Sequence, residues 1–137
     1  MSLRCFIQTQ APVPHSGAEP VNYPACEWMS DDGTVDQLHP LNRFVCSWLS
    51  SDMVELSHCD QVLQMMAQLE VNALKEWFVD GDAFNVDMRI KGVQFNQSNV
   101  TPKDTAYWNH PEGKFTLAQL KTLMLAWREY LIANAQP

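Results

Sequence analysis

The segment FNVDMRIKGVQFN, residues 84–96, alternates between apolar and polar residues. Apolar side chains fall at every second position from Phe84 to Ile90, a period typical of a strand with one buried face. Gly92 allows a tight reversal into a second strand, where Val93 and Phe95 continue the apolar face. The preceding EWF segment predicts a first strand before the DGD turn. The fold must therefore contain an antiparallel sheet with one buried face and one solvent-exposed face.

Two longer segments carry the apolar period of a helix. In FTLAQLKTLMLAWREYLI the apolar stripe consists of Leu117, Leu120, Met124, Trp127 and Leu131. Thr116 and Gln119 stand before it in capping-box positions. An amphipathic pattern predicts another helix over 58–73, with Ser57 and Asp60 in capping-box positions. HPLNRFVCSWLSS predicts a shorter helix ahead of it.

The remaining segments complete the predicted fold. LRCFIQTQ, at 3–10, alternates like a strand, and DDG, at 31–33, predicts a turn. APVPHSGAEPVNYP, at 11–24, holds four prolines and one glycine and predicts a loop, because proline removes backbone donors. We predict an α+β fold, with an antiparallel sheet of about four strands, helices packed on one face and a long C-terminal helix. A length of 137 residues fits one domain, 1–137.

The location of the protein is predicted from what the sequence lacks. No apolar run approaches the roughly 18 residues of a membrane span, and the first residues lack the layout of a signal peptide. We therefore expect a cytoplasmic protein. Its four cysteines, Cys5, Cys26, Cys46 and Cys59, show no zinc-ligand spacing, so we expect buried thiols, with no metal and no cofactor.

A group of acidic residues in the strand region resembles a metal site. Its members are Asp80, Asp82 and Asp87. An EF-hand counted from the first of them needs an oxygen ligand fifth, glycine sixth and glutamate twelfth, and the chain has Phe84, Asn85 and Lys91 there. We interpret the first two as turn residues, and Asp87 as a wet-face partner of Arg89.

Enzymatic chemistry has few candidates in the sequence. No GxSxG, HExxH, GxGxxG or P-loop motif occurs. Cys59 with a distant His39 or His110 stays open as a Cys–His site, but Cys59 heads an apolar stripe, which favours a packed thiol. We therefore favour a binding protein over an enzyme.

The net charge of −7 is unevenly distributed along the sequence. Residues 1–74 hold nine acidic and two basic residues, and residues 75–137 hold seven of each. An acidic surface repels nucleic acid and anionic membrane and attracts basic proteins. We predict a surface for a basic protein partner, formed by Glu27, Trp28, Asp31, Asp32, Asp36, Asp52, Glu55 and the loop residue Trp108.

The C-terminal half carries a family resemblance. AFNVDMRIKGVQF, the loop with Trp108 and GKFTLAQLKTLMLAWREYL together resemble small bacterial immunity proteins, which neutralise a toxin domain delivered by a neighbouring cell. The resemblance implies that acidic side chains mimic the phosphates bound by a basic nuclease toxin. The segment also resembles short bacterial families with no assigned role. Two other hypotheses remain: a small hydrolase or isomerase with a His/Asp or His/Cys site, and an adaptor that self-associates, the oligomeric state being open.

Overall fold

The computed structural model describes residues 2–98 and 108–134. The elements are β1 (Ser2–Gln10), β2 (Val21–Met29), a π-helical segment (Leu41–Cys46), α1 (Ser47–Asp52), α2 (Leu56–Glu70), β3 (Trp77–Val79), β4 (Phe84–Arg89), β5 (Gly92–Gln97), a 3-10 turn (Pro111–Gly113), β6 (Lys114–Phe115) and α3 (Leu117–Ala133). Residues 99–107, the middle of the predicted connection between the sheet and the last helix, lie outside the described residues.

The larger sheet has four antiparallel strands in the order β3–β4–β5–β6. Val86 pairs with Phe95 and Met88 pairs with Val93, and all four side chains are buried. They share one face because successive residues of a strand point to opposite sides. Trp48 of α1 packs edge-on against Phe95, with ring centroids 5.3 Å apart. The α+β class and the four-stranded sheet are confirmed.

The long helix α3 begins as its sequence predicts. The Thr116 hydroxyl accepts a hydrogen bond from the Gln119 amide at 3.0 Å, and the Gln119 side chain accepts one from the Thr116 amide at 2.9 Å. The predicted apolar stripe is buried along the helix. Trp127 donates from its indole Nε1 to the Met53 carbonyl at 2.7 Å. This bond satisfies the polar atom of a large core side chain and ties α3 to the end of α1.

Helix α2 differs from its prediction at both ends. It begins at Leu56 after Glu55 and ends at Glu70, so Ser57 and Asp60 lie inside the helix. The capping box predicted for them is wrong. The Asp60 carboxylate pairs instead with Arg128 of α3 and so joins the two helices.

Strands β1 and β2 form a separate two-stranded sheet. The proline-rich loop is shorter than predicted, because β2 already begins at Val21 and includes Pro24. One edge of β2 adjoins the helical segments. Trp28 donates its amide to the Asn42 side chain at 2.6 Å and accepts from that side chain at 2.9 Å, while Cys26 donates its amide to the Ser50 hydroxyl at 3.0 Å. We call these bonds the edge contacts; they attach the hairpin to the core.

Candidate partner-binding surface

The exposed loop at residues 30–38, here called the acidic loop, follows β2. The Ser30 amide donates to the Thr34 carbonyl at 3.0 Å, and the Gly33 amide donates to the Ser30 carbonyl at 2.9 Å. Gly33 has a φ of 83°, which an L side chain rarely adopts. The turn predicted at DDG is confirmed, and its bonds give the loop a defined conformation.

Asp32 organises the interior of the acidic loop. One of its carboxylate oxygens accepts from the Ser30 hydroxyl at 2.5 Å, from the Thr34 amide at 3.0 Å and from the Thr34 hydroxyl at 2.7 Å. These bonds favour the ionised form, so the Ser30 hydroxyl first and the Thr34 groups next lower the pKa of Asp32 to about 2. Asp32 therefore stays negative at any physiological pH.

The second half of the loop is anchored by Asp36. Its side chain accepts from the Leu38 amide at 2.9 Å, and its carbonyl accepts from the His39 amide at 3.0 Å and from the Asn42 side chain at 2.9 Å. Leu38 is 78% exposed. An exposed apolar side chain thus shares the acidic loop with Asp31, Asp32 and Asp36, all of which are exposed.

Glu27 and Trp28, predicted for the same surface, precede the loop on β2. The Glu27 carboxylate accepts from Arg4 Nε of β1 at 2.7 Å, so its charge is compensated within the hairpin. Trp28 is half-buried and packs against the core. Its ring forms part of an open groove with Leu41 and Leu123. Trp28 is thus only partly accessible, and its role as a partner contact stays a prediction.

Asp52 lies apart from the acidic loop and has a structural role. Its carboxylate accepts from the Ala83 amide at 3.1 Å and from the Phe84 amide at 3.0 Å. The Gly81 backbone lies directly against this carboxylate; a Cβ at position 81 would be 2.7 Å from the Phe84 carbonyl oxygen. These bonds occupy Asp52 at the start of β4, and its role as a partner contact stays a prediction.

The remaining predicted contacts, Glu55 and Trp108, also lie outside the loop. Glu55 is exposed, and its neighbours Val54 and Leu56 line a groove with Asn22. Asn22 lies at the start of β2, whereas the acidic loop follows the end of that strand. Trp108 is half-buried. The eight predicted residues do not form one patch, and only Asp31, Asp32 and Asp36 share a loop.

Two other acidic residues of the first half are neutralised by the second half. Lys121 donates to Glu70 at 2.8 Å, and Arg128 pairs with Asp60. The expectation that the early carboxylates lack basic partners is therefore wrong for these two, because α2 and α3 pack side by side. In the sheet, Asp87 accepts from Arg89 at 3.2 Å, as predicted.

Asn42 and Ser50 were not predicted to have any role. They lie eight positions apart, a spacing that places two residues on the same side of a helix. A polar pair on one side of an apolar helical segment was therefore the signal available in the sequence. Together they make the edge contacts, and Asn42 also holds the loop by donating to the Asp36 carbonyl.

The imidazoles of two candidate catalytic histidines bond to backbone amides. His39 Nδ1 accepts from the Leu41 amide at 3.1 Å, and His110 Nδ1 accepts from the Glu112 amide at 3.1 Å. Cys59 is fully buried, as its packing pattern predicts. Burial first, and the nearby Asp60 charge second, raise the pKa of Cys59 to about 11. A thiol in this state is a poor nucleophile at neutral pH.

Over residues 2–98 and 108–134, no group of three histidine, cysteine or acidic side chains is arranged to hold a metal ion. Over the same residues, no helix combines the length and the apolarity needed to cross a membrane. Comparison with protein-family models, with curated proteins and with solved structures found no match to this chain.

Proposed function

We propose that the protein is a binding module for a basic protein and that the acidic loop is its principal contact. The supporting observation is a set of exposed carboxylates on a loop whose conformation is fixed by its own hydrogen bonds. Asp32 and Asp36 bond to neutral hydroxyl and amide groups of that loop, which leave their charges in place. A preformed loop also loses little conformational entropy on binding.

The chemistry of the loop suits a cationic surface with a shallow apolar depression. Carboxylates attract lysine and arginine side chains over a distance and accelerate encounter, while an exposed apolar side chain such as Leu38 contributes buried area after contact. The resemblance to immunity proteins suggests a specific class of partner, the nuclease domain of a toxin. In that case the carboxylates would occupy the positions of substrate phosphates.

The test compares two variants with the same change in net charge. In the loop variant, Asp31, Asp32 and Asp36 become asparagine, which keeps an acceptor oxygen at each position. In the control, three exposed acidic residues elsewhere are neutralised: Asp80→Asn, Asp82→Asn and Glu129→Gln. Proteins from the source organism that the wild type retains are identified, and their binding kinetics are measured at low and high salt.

We expect a basic protein whose association slows in high salt and whose affinity falls about tenfold or more in the loop variant, since several charges are lost at the contact. The control variant should stay within about threefold of the wild type, because charges beyond a Debye length are screened. Equal weakening by both variants, or an association rate independent of salt, would contradict the proposal.

A further inference from the structure

The outer edge of β1 has a definite hydrogen-bonding direction. The Cys26 and Trp28 amides point away from β1, because they donate to Ser50 and Asn42. Directly opposed residues of an antiparallel pair either bond to each other or both point outward. Cys5 opposes Cys26 and Leu3 opposes Trp28. The N–H and C=O groups of Leu3 and Cys5 therefore point away from β2.

The same alternation extends this pattern along the strand to Ile7 and Thr9. Residue 7 opposes Pro24, which has no N–H and so fits an outward-pointing position. Among the described residues, no hydrogen bond from another element reaches the outward backbone groups of β1. Ile7 is 47% exposed. The edge strands of the other sheet, β3 and β6, have only three and two residues. Within residues 2–98 and 108–134, strand β1 is thus a long edge without hydrogen-bond partners, a template for another strand.

We propose that the outer edge of β1 pairs with the same edge of a second copy of this chain. A two-fold axis at Phe6 places Leu3 opposite the second copy's Thr9, and Cys5 opposite its Ile7. Every outward N–H and C=O group from residue 3 to residue 9 then finds a partner. The two hairpins become one antiparallel four-stranded sheet, in the isologous arrangement typical of symmetric dimers.

The charges near the edge permit a second copy in this register despite the net charge of −7. Arg4 would lie opposite a neutral Gln8, so no like charges oppose each other across the new pair. The acidic loop follows Met29, which pairs with Ser2. Antiparallel pairing places the Ser2 positions of the two copies eight residues apart, about 27 Å along the strands. This separation greatly exceeds the Debye length of about 8 Å at physiological ionic strength, so the two loops barely repel.

The register makes Gln8 the position at which to test the dimer. Gln8→Glu would place a carboxylate opposite each Arg4, whereas Gln8→Arg would place two arginines together. Gln8 is exposed, so both variants should fold. Matched controls are Gln64→Glu and Gln64→Arg, at an exposed position on α2. Sedimentation equilibrium measures the dimer dissociation constant of the full chain and of each variant.

We expect the wild type to approach twice its 15.6 kDa mass as concentration rises from about 10 to about 500 μM, the range suited to a small interface. Gln8→Glu should tighten the dimer and Gln8→Arg should weaken it, each about two- to thirtyfold, from two cross-strand pairs per dimer. These directions oppose those of net charge, since the glutamate adds repulsion between two acidic chains. A wild type that stays monomeric, or Gln8 variants that behave like the Gln64 controls, would overturn the proposal.

Discussion

The two outer edges of the β1–β2 hairpin differ in how their backbone groups are hydrogen-bonded. The outer edge of β2 is bonded by Asn42 and Ser50, two side chains of an adjoining helical segment. The outer edge of β1 has no such partner among the described residues. The comparison shows that two side chains from a helix can complete a strand edge, and the edge without them is the one for which we propose pairing with a second copy.

The largest expected effect comes from breaking the closed edge. Asn42 is buried and bonds to three backbone groups, the amide and carbonyl of Trp28 and the carbonyl of Asp36. Asn42→Ala should lower the free energy of unfolding by about 3 kcal/mol, because these groups lose their partner. Denaturant unfolding measures the loss. Asn22→Ala, which removes an exposed side-chain bond to Thr9, is the control and should cost below about 0.5 kcal/mol.

A second expected effect tests the same principle on the larger sheet. Asp52→Ala should cost about 2 kcal/mol, since the Ala83 and Phe84 amides lose a charged acceptor. Asp52→Asn, which keeps one acceptor oxygen, should cost about half as much. Thermal and denaturant unfolding of both variants give the comparison. Equal losses in the two variants would show that the charge, rather than the number of acceptors, stabilises the contact.

A smaller effect is expected at the second edge contact. Ser50→Ala leaves the Cys26 amide without its acceptor and should cost about 1 kcal/mol. Thr9→Ala on the open edge, in dilute monomeric protein, should cost below about 0.5 kcal/mol because its side-chain bond is exposed. Similar losses at the two positions would remove the distinction between the edges.

The smallest expected effect is present at neutral pH and is removed by acid. The pKa of Asp32 is lowered from 3.8 to about 2, so its bonds stabilise the folded state above pH 3.8 and that contribution is lost as the pH falls through about 2. Asp32→Asn should therefore melt below the wild type at neutral pH and approach it at pH 2. Melting curves across that range, with Asp82→Asn as control, test the sign. A difference that persists at pH 2 would contradict it.

The sequence was sufficient where one local pattern determined the structure. The alternation from Phe84 to Phe95 and the stripe from Leu117 to Leu131 predicted both elements, because each period has one way to bury its apolar side. Strand β2 was missed because prolines and polar residues hide its period. Pro24 is tolerated in β2 because its backbone nitrogen points away from β1, where pairing of the two strands needs no N–H donor.

The candidate surface was harder to predict. The sequence shows which charged residues are neighbours along the chain, whereas the ion pairs that neutralise them form between residues that are distant in sequence. In the sequence, Asp60 and Glu70 appeared to be unpaired acidic residues. In the structure, α3 places Arg128 and Lys121 beside them. Asp52 counted as a surface charge until the turn before β4 approached it. By contrast, Asp31, Asp32 and Asp36 were predicted together and lie together, since a short loop keeps sequence neighbours close in space.

The contact at Gly81 constrains how the sequence can vary. Even a methyl group there would collide with the Phe84 carbonyl oxygen and the Asp52 carboxylate. Suppose that positions 52 and 81 are randomised and folded variants are selected. Variants that keep aspartate at position 52 should almost all have glycine at position 81, and other residues should appear at position 81 only when position 52 has changed as well.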